Sequence, residues 1–239
     1  MVFRPGLLFQ GFAVAILVDA LLVWRGSRLL EWHSRVVEAL LQLAGVAWEQ
    51  GKDLAVLPGV SVGLLRTSYL DYQTHPLYPW ACLAAALMLL ALGLRRCPPP
   101  LRPLLYLVPL SLGITLLYLT AISPTVPYNP EDFSAIWYRG ETYLWLLLPW
   151  IFALGFFVLN VPMRLKMGWL SLLLSYSFLW SAIRLATALA TFHYFGSLWM
   201  PFFYFAFGFL ADFLYIVAFY SLALGQAGAL LARRREEWQ

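Results

Sequence analysis

Long apolar runs alternate with short polar connections along this chain, and the runs are long enough to cross a bilayer. Six stand out, at roughly 6–24, 78–95, 102–122, 142–160, 169–190 and 200–230. About 20 apolar residues span a hydrocarbon core, so each run qualifies as a transmembrane helix and the last is over-long. The pattern predicts an all-α fold, a six-span helix bundle forming a single integral membrane domain over 1–239. No small-x-small cleavage site follows the first run, which continues "LLVWRGSRLLEW", so it reads as a span and not as a signal peptide.

Two connections are long. In 25–77, an amphipathic helix is predicted from Ser27 to Trp48. Arg28, Glu31, Arg35, Glu38, Gln42 and Glu49 recur at spacings of three, four or seven and share one face. Leu29, Leu30, Val36, Val37, Leu40, Leu41 and Ala47 lie mostly on the other. Glu31 and Arg35 form a favourable i,i+4 pair. Such a helix lies on the membrane surface, caps the bundle or docks a partner. "DLAVLPGVSVGLL" follows, with β-branched residues around Pro-Gly, and reads as a short hairpin. The second long connection, 123–141, is stiffened by Pro124, Pro127 and Pro130. Its "NPED" predicts a turn into a short helix capped near Asn129, followed by "AIWY" at the interface.

Charge orients this pattern. With the N-terminus inside, nine basic residues fall on the inner side: Arg4, Arg95, Arg96, Arg102, Arg164, Lys166, Arg233, Arg234 and Arg235. Six fall outside, on much longer connections: Arg25, Arg28, Arg35, Lys52, Arg66 and Arg139. The asymmetry predicts cytoplasmic termini in a bacterial-type inner membrane. Composition agrees with the class: 62% of residues are hydrophobic and 12% charged, where a soluble domain carries about 25% charge. The formal net charge of +4 does not imply nucleic acid, because the basic residues punctuate apolar runs and form no stripe. Cys82 and Cys97 lie near opposite ends of one predicted span, about 20 Å apart, too far for a disulfide.

Candidate chemistry begins with the ionisable residues inside spans, Asp19, Arg184 and Asp212. Each costs about 2.5–3.5 kcal/mol to insert, so each is expected to have a partner or a function. Counted from the outer ends of their spans, Asp19 is about 8 Å deep and Arg184 about 9 Å deep, which puts them at one level. Arg184 is expected to pair with Asp19, with Asp212 or with both. The pairing is either a clamp that fixes helix packing or the floor of an outward cavity in which the guanidinium binds an anion. Glu131, Asp132, Arg139 and Glu141 form the densest outer charge cluster, a solvated loop or a contact site for a partner. His33, His75 and His193 fall outside, with Asp71 nearby, but no two have metal-ligand spacing. Nothing in the sequence calls for a metal or a cofactor.

Cys82, Arg184 and His193, with the "SAIRLATAL" stretch, occur in this order at the outer face of a multi-span chain. In this the chain resembles the exosortase and archaeosortase families, polytopic proteins thought to process C-terminal sorting signals, or their accessory membrane proteins. The resemblance implies a Cys82 nucleophile, a transition-state-stabilising Arg184 and a proton-transferring His193. Arg184 and His193 share one predicted span, whereas the family places them on successive helices. Cys82 stands in "WACLAAAL", not in a Cys-Gly-like setting. The expected function is therefore a non-catalytic accessory or scaffold subunit of an envelope complex, exosortase-like or otherwise. Its partners would be membrane lipids and other membrane or extracytoplasmic proteins. The alternatives are an intramembrane enzyme working through those three residues, and a transporter subunit.

Overall fold

The computed structural model describes residues 5–69, 77–99, 102–122 and 129–236. Arg4, Asp71, His75 and most of the proline-rich connection lie outside the described residues, as do the side chains of Arg95 and Arg233–Arg235. The chain is mostly helical, and a two-stranded sheet corrects the all-α expectation. In order it forms α1 (Pro5–Leu43), β1 (Trp48–Leu57), β2 (Val60–Thr67), α2 (Tyr78–Arg96), α3 (Arg102–Ala121), α4 (Pro130–Gly155) and α5 (Met163–Phe195). A final rod follows. It begins with a 3-10 turn (Ser197–Trp199) and one α turn, α6 (Met200–Phe202), then passes through a π-helical stretch (Phe203–Leu210) into α7 (Ala211–Glu236).

Among the described residues, three helical segments are long and apolar enough to cross a membrane: Gly6–Leu43, Met163–Phe195 and Ser197–Ala232. Tyr78–Leu94 and Leu105–Ala121 are shorter apolar helices. The fourth predicted span, 142–160, is helical only to Gly155, where the chain turns before Pro162, the residue that precedes α5.

The first span and the amphipathic segment are one helix of 39 residues, about 58 Å long. No proline interrupts "WRGSRLLEW", and the buried face continues through it. Ala15, Gly26, Leu30, His33, Val37 and Leu41 are buried at spacings that keep one stripe against the bundle. Arg28, Glu31, Arg35 and Gln42 face outward along the same helix. The helix stops five residues before the expected Trp48. Gly45, at φ 70°, adopts the left-handed conformation of a helix C-terminal cap, and the Val46 N–H donates back to Leu41 O at 3.0 Å.

The hairpin forms where Pro-Gly predicts it, and it starts earlier, at Trp48. Leu57 pairs with Val60 across the turn, and Gly59 supplies the positive φ of 77°. On β2, Val60, Val62 and Leu64 point inward while Ser61 and Arg66 point out. The buried row packs on α1 and α4. Gly26 admits this contact: a Cβ there would meet the Val60 methyls at 3.0 Å.

The expected short helix at "NPED" is the start of the 26-residue α4. Asn129 caps it reciprocally with Asp132. The Asp132 N–H donates to Asn129 Oδ1 at 2.7 Å, and the Asn129 N–H donates to Asp132 Oδ2 at 3.3 Å.

Two large apolar cores result, with a smaller one at Ala86, Leu112 and Leu198. One lies under the hairpin and includes Leu30, Val37, Val62, Trp137, Leu185 and Phe192. The other includes Leu148, Phe152, Phe157, Leu173, Tyr215 and Ala223. On α5 the change from one core to the other falls at Ser177, Ser181 and Arg184.

Candidate functional site: a buried arginine–dicarboxylate cluster

Ser177, Ser181 and Arg184 occupy positions i, i+4 and i+7 of α5 and share one face. That face turns inward, and none of the three has any exposed surface. A buried guanidinium needs its charge balanced and its donors used. Nη2 donates to Glu141 Oε1 at 2.6 Å and to Asp212 Oδ1 at 2.5 Å. Nη1 donates to the carbonyls of Phe207 and Gly208 at 2.7 and 2.9 Å. The arginine thereby joins α4, α5 and the final rod.

The π-helical stretch makes the last two contacts available. A π-helix departs from the i→i−4 bonding ladder, and the guanidinium takes up two of its carbonyls. Gly208 lies against the Trp137 ring, and a Cβ there would meet the Phe203 carbonyl oxygen at a tight 3.3 Å. Trp137 covers the guanidinium, its ring centroid 5.1 Å from Arg184 Cζ.

The polar cluster continues from the arginine toward the N-terminus of α5. The Ser181 hydroxyl accepts from Trp137 Nε1 at 3.2 Å and bonds His33 Nε2 of α1, also at 3.2 Å. Tyr138, Trp145 and Phe178 box the His33 ring with centroids 5.4–5.7 Å away. Ser177 bonds the Tyr215 hydroxyl of α7 at 2.8 Å. Four helical elements meet in this polar layer.

The structure places the sequence candidates as follows. Asp212 meets Arg184 as one of its expected partners. Asp19 does not: it accepts from Trp150 Nε1 of α4 at 2.6 Å. The level assigned to Asp19 was wrong because α1 does not end at Trp24. The Arg184 layer meets α1 at His33, 14 residues beyond Asp19, or about 21 Å along the helix. Glu141, expected in a solvated outer cluster, is 5% exposed and forms the second ion pair. Its former companions are separate from it and lie on α4, not in a loop. Glu131 accepts the Lys52 N–H at 3.1 Å and holds the hairpin, Asp132 caps the helix, and Arg139 is exposed.

Cys82, Arg184 and His193 do not form one site. His193 stands nine residues beyond Arg184 on the same helix, about 13 Å away along the axis. Its Nδ1 lies 3.1 Å from both Ser68 Oγ and Ser68 O. Cys82 packs against Ala86, Leu112 and Leu198. Both cysteines are free. His193 belongs instead to a seam at the end of α5. There Tyr194 donates to Ala44 O at 2.8 Å, and Tyr78 donates to Phe195 O at 2.7 Å.

Two cavities adjoin this region without including Arg184. A small one of about 20 Å³ lies between α1, the hairpin and α4, beside Trp145. A groove of about 320 Å³ runs between α1 and α5 past Leu40, Thr187 and Tyr194. Among the described residues, no three His, Cys, Asp or Glu side chains come together as a metal-binding group.

The sequence did not single out Glu141 as a partner of Arg184, nor His33 and Ser181 as members of the same polar layer. Their signal was present in part, because Ser177, Ser181 and Arg184 make a polar stripe at helical spacing in an apolar segment. Compared with known proteins, the chain matches no protein-family model, no curated protein and no solved structure.

Proposed function

We propose that this chain is a six-span inner-membrane protein with cytoplasmic termini, acting as a non-catalytic accessory or scaffold subunit of an envelope complex. In this reading α1 to α5 and the rod 197–232 are the spans. The hairpin end of α1, which is longer than the roughly 30 Å hydrocarbon core, projects on the outer side and carries the partner surface. One observation supports a structural role above all: the Arg184 guanidinium is fully buried and both its terminal nitrogens are bonded to its own chain. Its Nε has no partner, but with no exposed surface the side chain is closed to a substrate. The likeness of Cys82, Arg184 and His193 to exosortase-type proteins puts protein-sorting complexes first among the assemblies to test.

Two measurements test this. Affinity purification from native membrane is expected to recover partner proteins, and recovery of a lone monomer sinks the subunit reading. Cysteine labelling tests the topology. With Cys82 and Cys97 replaced by serine, Ala55→Cys on the exposed face of β1 is expected to react with an impermeant maleimide in intact cells. Cys97, at the other end of α2 and restored alone, is expected to react only after permeabilisation. The opposite pattern inverts the assignment.

A further inference from the structure

Three charged groups meet in the polar layer, and they do not balance. Arg184 contributes one positive charge. Glu141 and Asp212 contribute two negative charges if both are ionised, and both contact the same nitrogen, Nη2. The other ionisable groups packed around them offer no second cation. His33 of α1 is boxed by aromatic rings and carries no acidic contact. Tyr215 of α7 and Tyr138 of α4 are phenols, neutral at pH 7. A net negative charge in this layer, where Glu141 is buried and the Asp212 side chain only 17% exposed, is costly.

A second observation points to the same deficit. Glu141 Oε2 is buried and has no hydrogen-bond partner, although an ionised carboxylate of a residue only 5% exposed should use both oxygens. Two carboxylates that share a site relieve their repulsion when one keeps a proton. The first carboxylate then balances the guanidinium, and the second is a neutral acid.

We propose that the Glu141–Asp212 pair is a proton-binding site, in which one proton, held by one carboxyl or the other, completes the charge balance of Arg184 in the folded protein. The site ties protonation to helix packing, because its members sit on α4, α5 and α7. Loss of the proton leaves a buried net charge at the junction of three helices.

Infrared spectroscopy on the full chain in detergent micelles tests this at neutral pH. The wild type is expected to show the C=O stretch of a protonated carboxylic acid, shifting slowly in D2O because the group is buried. Glu141→Gln and Asp212→Asn each replace an acid by a neutral amide of the same shape, and at least one is expected to abolish the band. Absence of the band in the folded wild type overturns the proposal without need of any variant. Persistence of the band at full strength in both variants overturns it equally, because the proton then belongs to another group. A band that disappears when NaCl or KCl is added at constant pH also overturns it, since the charge is then balanced by an alkali cation.

Discussion

Replacing Arg184 by methionine isolates what the cluster contributes. Methionine fills much of the same volume and offers no donor. The change leaves Glu141 and Asp212 facing each other, 5% exposed and with a side chain 17% exposed respectively. It also strips the Phe207 and Gly208 carbonyls of their side-chain partner, although Gly208 O keeps the Ala211 N–H. Removing one member of a buried ion pair costs about 3–5 kcal/mol. Each orphaned buried polar group costs about 1–3 kcal/mol. These costs do not add, since the carboxylates can take up protons once the cation is gone. The expected loss is therefore about 3–5 kcal/mol in all. Unfolding by SDS in mixed micelles, followed by tryptophan fluorescence, measures it. The triple variant Arg184→Met, Glu141→Leu, Asp212→Leu removes the charges together and is expected to recover most of the loss, because apolar replacement of a whole buried ionic cluster is often neutral. A loss below about 1 kcal/mol for Arg184→Met, the range of an exposed pair, refutes the assignment of Arg184 as a clamp.

Other perturbations probe the surrounding contacts by the same assay. Ser181→Ala removes the acceptor of Trp137 Nε1 and the partner of His33 Nε2 and is expected to cost about 2 kcal/mol, whereas Ser181→Thr is expected to keep the hydroxyl contacts and cost less. Gly11→Val is expected to cost about 1–3 kcal/mol, since even a Cβ at this position meets Phe157 Cβ at 2.9 Å and Ala153 O at 3.2 Å; unchanged unfolding would show that α1 and α4 do not approach here. Asn129→Ala breaks the capping box of α4, with an expected cost of about 1 kcal/mol and faster proteolysis near the start of the helix. Asp19→Asn keeps an acceptor for Trp150 and is expected to change stability by less than about 1 kcal/mol, which separates Asp19 from the Arg184 cluster.

The sequence by itself located apolar helices, three of which, among the described residues, are long and apolar enough to cross a membrane, because that depends only on the length and composition of a run. It also determined the Pro-Gly turn and the Asn129 cap, which arise from residues a few positions apart. It could not fix where α1 ends. Charge at Arg25 looked like the edge of a span, but a helix continues past charges when its buried stripe stays in phase and no proline or cap stops it. That one difference moved the Arg184 layer from the level of Asp19 to that of His33. The partner Glu141 was equally hidden, since a glutamate beside a proline-rich connection looks solvated until α4 is seen to run unbroken from Pro130 and to turn that residue inward. Spacing along a helix can be counted from sequence, but not the helix end from which depth is measured. Azimuth, and which carboxylates share one guanidinium, depend on how helices far apart in the chain rotate and pack, and only the tertiary structure decided that.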